Sequence, residues 1–153
     1  MKYCFRVGLY KQGLLHDLSK YTPTEFFVGC KYYQGDRSPN NAEREEKGYS
    51  AAWMHHKGRN KHHFEYWNDY TLEKEMPRKY VAEMLMDRIA ASRIYEKERY
   101  TNHSPLQYFQ RGKANYQIHP KTMRELEGLL RILDAKGEKV LIRYVKKIYL
   151  KNR

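Results

Sequence analysis

Cysteine is scarce in this chain of 153 residues: Cys4 and Cys30 are the only two. They form no CxxC pair, so neither a disulfide framework nor a thiolate zinc site is expected. Reduced thiols and a cytoplasmic location are the simplest reading. Apolar runs are short, and none approaches the ~20 residues that span a bilayer. The opening Met1-Lys2-Tyr3-Cys4-Phe5-Arg6 lacks the apolar stretch of a secretory leader, so no membrane partner is expected. Strand signals are few, with no sustained alternation and no Asn-Gly hairpin. HExxH, the Walker loop, GxGxxG and GxSxG are all missing, which removes several common enzyme classes. Repeats and low-complexity segments are absent too, and the length suits one compact domain.

What the chain has in excess is positive charge: 30 Lys plus Arg against 18 Asp plus Glu, a formal +12. Such a surplus points to nucleic acid, an anionic surface or a phosphorylated substrate. It is unevenly spread. Lys136 to Arg153 holds seven basic residues and one acid, Glu138, so half of the surplus sits in the last helix and tail. There Lys139, Arg143 and Lys146 or Lys147 form a basic stripe, opposite an apolar side of Val140, Leu141, Tyr144, Val145 and Ile148. This stripe is either a solvated helix face or a nucleic-acid contact. Tyrosine is also abundant, at 15 of the 22 aromatics.

Gly, Pro and Asn divide the rest into helices, predicting an all-α fold. A first helix is expected from Lys2 to Leu18. Thr22-Pro23-Thr24-Glu25 reads as a capping box opening a second helix, which carries Phe26, Phe27, Cys30 and Tyr33. A third is expected over Ala42 to His56, weakened by Gly48. The Pro77 to Glu98 segment repeats Val81, Met84, Leu85, Ile89 and Ala90 at helical spacing. After a polar break around Thr101 to Pro105, Pro120 begins a helix with Leu126, Leu129, Leu130 and Leu133 facing inward. Gly137 caps it, and a last helix follows from Glu138 to Leu150.

Chemistry-bearing residues cluster. His16 and Asp17 stand together at a helix end, a pairing suited to a divalent cation, although Asp17 also makes a good cap. His55, His56, His62 and His63 place four imidazoles in nine residues, around Lys57, Arg59 and Lys61. This segment reads as a ligand cluster with Glu65 orienting it, or as a basic anion-binding loop. Asp87 interrupts an apolar helix face, which calls for a metal or an ion-pair partner. Trp53, Trp67, Tyr66 and Tyr32 supply rings either for the core or for stacking on a base.

In this order the residues resemble the HD superfamily of metal-dependent phosphohydrolases. Gly13-Leu14-Leu15-His16-Asp17-Leu18-Ser19-Lys20 looks like its His-Asp signature. The two histidine pairs resemble its additional histidines, and Asp87 its terminal aspartate. More narrowly, GLLHDLSKY (Gly13 to Tyr21) and HHKGRNKHHFEYW (His55 to Trp67) resemble a group of HD-like proteins from bacteria and phages. The resemblance covers about residues 1–95. It implies a helical HD-like core at 1–100, with 101–153 a helical extension packing on it. The superfamily's first ligand, a histidine preceding the His-Asp pair, has no counterpart before His16; the expectation is a chain short at its start or an incomplete site.

The resemblance implies that His16, Asp17, one or both of His55 and His62, and Asp87 hold one or two divalent cations (Mn, Fe, Mg, Zn or Ni). His56 and His63 are the alternative member of each pair. Asp17, Lys20 and Asp87 are then the catalytic candidates. Lys20, Lys57, Arg59, Lys61 and, more remotely, Arg37 beside Ser38 would grip the phosphate of a nucleotide or other small phosphorylated substrate. The rival expectations are a catalytically incomplete HD-like protein and a basic helical protein that binds nucleic acid.

Overall fold

The computed structural model describes residues 1–151. Helix formation starts at once but stops early. Helix α1 (Lys2–Arg6) gives way at Val7 to Gly8, whose φ of 86° turns the chain before α2 (Tyr10–Leu15). The single helix expected from Lys2 to Leu18 is therefore two. A positive φ is cheap only for glycine, so the break belongs at Gly8. The two segments meet closely at Gly13, where a Cβ would lie 2.5 Å from the Phe5 ring.

After α2 the chain leaves helical geometry at His16 and enters the left-handed region at Asp17, φ 60°. Aspartate is among the few non-glycine residues that tolerate this conformation. A 3-10 turn, Leu18–Tyr21, then leads to α3 (Pro23–Tyr32). Thr22 caps α3 and Pro23 opens it as the sequence predicts, but the capping box does not close. The Thr22 N–H already donates to the Ser19 carbonyl, at 2.9 Å, and Glu25 is free to turn elsewhere. Phe27 and Tyr33 are exposed, and the inward residues of α3 are Glu25 and Tyr32.

The helix expected over Ala42 to His56 is also two, α4 (Pro39–Lys47) and α5 (Ala51–Lys57), split at Gly48 with φ 79°. A buried carboxylate holds them together. Glu43 accepts hydrogen bonds from Ser50 Oγ at 2.7 Å and from the Ala52 N–H at 3.3 Å. It thus sits at the positive end of α5, with Lys47 ion-paired behind it. Glu43→Ala leaves the Ser50 hydroxyl and the Ala52 amide buried without this acceptor. It should cost about 2–3 kcal/mol, read as a lower midpoint in urea denaturation.

A 3-10 turn at Phe64–Trp67 precedes a ladder of two residues a side, β1 (Asn68–Asp69) antiparallel to β2 (Leu72–Glu73). This is the only strand pairing among the described residues. Helix α6 (Arg78–Glu96) forms the spine, with Val81 to Met86 and Ile89 buried. Helix α7 (Ser104–Gly112) begins inside the polar break expected around Thr101 to Pro105 and runs on beyond it. Pro105 occupies its first turn, and Leu106 and Phe109 turn inward. Helix α8 (Pro120–Tyr144) buries Leu126, Leu129, Leu130 and Leu133, kinks at Gly137 (φ 77°, ψ 169°) and runs into a π-turn at Val145–Tyr149.

The inward face of the last segment differs from expectation. It is Leu141, Val145 and Tyr149, whereas Val140 and Ile148 are each 47% exposed. The π-turn widens the helix after Tyr144, which brings Tyr149 rather than Ile148 to the core. One apolar core takes Cys4 and Val7 from the start of the chain, Leu85 and Ile89 from α6, and Phe109, Leu130 and Leu141 from the final third. The fold is all-α. No helix among the described residues is long and apolar enough to cross a membrane.

Candidate metal centre

Three stretches of chain converge. The break after α2 presents His16 and Asp17, the end of α5 and the following turn present His56, His62 and His63, and α6 presents Glu83 and Asp87. Asp17 lies at the middle. Its Oδ1 is 3.4 Å from His56 Nε2 and 3.4 Å from His62 Nε2, while its Oδ2 is 3.4 Å from His16 Nε2. His16 Nε2 also faces Asp87 Oδ1 at 3.3 Å. Two donor groups result: Asp17 with His56, His62 and His63, and His16 with His62 and Asp87, each with its atoms within 4.8 Å of one another.

The far side of three rings is held by carboxylates. Glu83 Oε1 is 3.1 Å from His16 Nδ1 and 3.3 Å from His62 Nδ1. Glu25 Oε2 accepts from His56 Nδ1 at 2.7 Å, and its other oxygen is 2.6 Å from His55 Nδ1. A carboxylate on Nδ1 fixes the tautomer that leaves Nε2 with a lone pair, the usual support of a metal-binding histidine. Asn60 Nδ2 donates to Ser19 Oγ at 2.7 Å and to the His56 carbonyl at 2.9 Å, which ties the turn to the centre. Trp53 walls the site, 4.9 Å from the His63 ring and 5.9 Å from His56.

Three atoms at this convergence, Asp17 Oδ1, His62 Nε2 and His63 Nε2, are buried with no hydrogen-bond partner among the described residues. Orphaned buried acceptors are rare, because each forfeits its hydration without replacement. Their arrangement fits a divalent cation: neutral imidazoles and carboxylates offering lone pairs to one small space. Electrostatics agree with that donor set. Burial pushes His63 well below the usual imidazole range and lowers His56, so both favour the neutral form. Burial opposes the charge of His16 as well, but hydrogen bonds to Asp87 and Glu83 outweigh it and raise its pKa to about 9. Burial likewise opposes ionisation of Asp17, Glu83 and Asp87. It is outweighed by Lys20 and His16 at Asp17, and by His16 and His62 at the other two, so all three are held below the usual carboxylate range.

Of the residues expected to bind metal, the structure thus gathers His16, Asp17, His56, His62, His63 and Asp87, while His55 stands outside both donor groups on Glu25. Four imidazoles come together without any histidine before His16. Lys20 is exposed and pairs with Asp17 Oδ2. Arg59 and Lys61 are exposed at the rim and Lys57 is partly buried. Arg59 Nη1 donates to the His55 carbonyl and Lys61 lies over the Tyr66 ring. Arg37 lies apart, its guanidinium forked onto Glu45 at 2.7 and 2.9 Å. Sequence reasoning missed Glu25 and Glu83. The first was hidden by its capping-box position. The second was legible as an acid one helical turn before Asp87 in an apolar stretch.

A surface cavity of about 390 Å³, lined by Asp36, Tyr95, Glu96, Lys97, Glu98 and Arg99, contains none of the convergent histidines. Burial raises the pKa of the hydroxyl of Tyr95, one of its lining residues.

No curated protein and no solved structure matches the chain. A family model matches over residues 1–132, the span that contains every residue of the centre. The chain belongs to that family, described as the family of unknown function DUF5662.

Proposed function

We propose that this protein is a divalent-metal-dependent phosphohydrolase acting on a nucleotide or another phosphate ester. The observation that carries the reading is the convergence of His56 Nε2 and His62 Nε2 on an otherwise unpartnered Asp17 Oδ1, with Glu25 and Glu83 behind the rings. His16, Asp17, His56, His62, His63 and Asp87 would hold the metal. An imidazole-rich set of this kind suits Mn²⁺, Fe²⁺, Zn²⁺ or Ni²⁺ better than Mg²⁺. When bound, such a cation supplies Lewis acidity that polarises a phosphoryl oxygen and acidifies water.

The chain's own residues do the rest. Glu83 and Glu25 orient rings, and the Asp17 and Asp87 carboxylates carry the negative charge that retains the cation and can accept a proton. Lys20, paired with Asp17 and open to solvent, would meet the phosphate charge. Lys57, Arg59 and Lys61 add cations at the rim.

Protein purified without chelator should carry close to a stoichiometric transition metal by elemental analysis. It should hydrolyse p-nitrophenyl phosphate or bis(p-nitrophenyl) phosphate once Mn²⁺ is added. A metal-free preparation that neither takes up Mn²⁺ nor turns over either ester would sink the reading; bound metal without turnover would leave the incomplete-site alternative. Uptake should also depend on pH. His16 must give up a proton to ligate, and its pKa is raised to about 9. Apparent affinity should therefore climb between pH 7 and 9, by up to about tenfold per unit for one displaced proton, and level off above. Titration calorimetry in buffers of different ionisation heat reads the proton release directly.

A further inference from the structure

The basic surplus of the last helix is not absorbed by the metal centre, and the structure shows what it faces. Lys139, Arg143, Lys146 and Lys147 are all exposed. At 100° per residue they fall within an arc of about 100°, over about 12 Å of helix. Leu141, Val145 and Tyr149 take the opposite, buried side. None of the four cations has an ion pair or side-chain hydrogen bond among the described residues. Glu138, the one acid in the segment, is turned away to Tyr3, Arg6 and Arg93. Several cations elsewhere in the fold are treated differently: Lys20, Lys31, Arg37, Lys113, Lys121 and Arg131 each sit on a carboxylate.

Four like charges crowded on one face repel each other and weaken the free protein slightly, so an anionic partner of matching extent gains from all four at once. We propose that this face docks the phosphate backbone of a nucleic acid. Extent decides the class of partner. A mononucleotide clusters its charges within a few ångströms and reaches one or two of the cations. A duplex presents a charge per ~1.7 Å, about seven along the same 12 Å, and can engage the whole row. A membrane surface would need bulky apolar residues on the same side to insert. Here the large apolar residues point into the core, leaving only Val140 and Ile148 at the margin.

The inference does not depend on the hydrolase reading, because it concerns binding on a face with no metal-ligand candidate. Fluorescence anisotropy with a labelled 20-mer, single-stranded and duplex, tests it on the full chain in the presence of EDTA. Binding at 50 mM NaCl should weaken as salt rises, with a log–log slope of about −3 to −4 for four phosphate contacts. The variant carrying Lys139→Gln, Arg143→Gln, Lys146→Gln and Lys147→Gln should lose at least ~30-fold in affinity and most of that slope, with its metal content unchanged. A control replaces four exposed cations elsewhere, Lys2, Lys11, Lys74 and Arg111, by Gln and should retain most of the affinity. Equal losses in the two variants would reduce the effect to net charge and overturn the proposal. So would the absence of oligonucleotide binding, or binding confined to vesicles containing phosphatidylserine.

Discussion

Asp17→Asn should lower the affinity of the candidate centre for a divalent cation by more than ~100-fold. Removing an outer partner of a ligating histidine already costs about 10–100-fold. Asp17 is more central than that, since its two oxygens lie within 3.4 Å of the Nε2 atoms of His16, His56 and His62. Asparagine keeps the shape but removes the charge and turns one acceptor into a donor. It is also the right replacement for the backbone, because asparagine tolerates the left-handed φ of 60° at this position. Alanine there would add strain of about 1–2 kcal/mol and blur the result.

Elemental analysis and calorimetry read the loss, and circular dichroism should show an unchanged helical fold. Glu83→Gln is the companion variant, with an expected loss of about 10–100-fold, since one carboxylate orients both His16 and His62. Undiminished metal affinity in Asp17→Asn would mean that the orphaned atoms at this convergence do not form a ligand set.

Leu130→Ala should destabilise the protein by about 2–5 kcal/mol. Leu130 is fully buried, together with Leu126 and Leu133, on α8, which packs against both α6 and α7. For a domain of this size that corresponds to a fall in Tm on the order of 10 °C. The shift reports on organisation as well as on packing. Helix α6 carries Glu83 and Asp87 and packs against α8, so the final third of the chain supports the helix that presents these two carboxylates. By the same reasoning a chain ending at Tyr100 exposes Leu85 and Ile89 and should not unfold cooperatively. A Tm shift below about 2 °C for Leu130→Ala would show instead that residues 101–151 pack loosely and that the centre stands without them.

Much of this was legible in the residues. The 3.6-residue recurrence of Val81, Leu85 and Ile89, and of Leu126, Leu130 and Leu133, marks two helices that the structure buries on those faces. Gly48 and Gly137 mark two real breaks, each with a positive φ that other residues resist. Helix α7 was harder to see. Its apolar content is little more than Leu106 and Phe109, and its entry through Ser104 and Pro105 resembles a loop. The boundary at Asp17 was hidden for another reason. Nothing in the sequence from Lys2 to Leu18 requires aspartate to adopt the left-handed conformation that it has in the structure.

The sequence by itself determined an all-helical chain, an inventory of histidines and acids of metal-binding type, and a separation of the basic surplus into two places. Those follow from spacing and side-chain chemistry, which a linear string preserves. The tertiary structure decided which ring of each histidine pair turns inward, and that His63 joins His62 while His55 stays on Glu25. It moved Glu25 from a helix cap to the back of His56 and gave Glu83 two imidazoles to hold. It also left Lys139, Arg143, Lys146 and Lys147 exposed, with no ion pair among the described residues. These outcomes rest on distances of a few ångströms between residues up to 71 apart in the chain, such as His16 and Asp87. Such distances are set by how the helices pack and not by the spacing within any one of them.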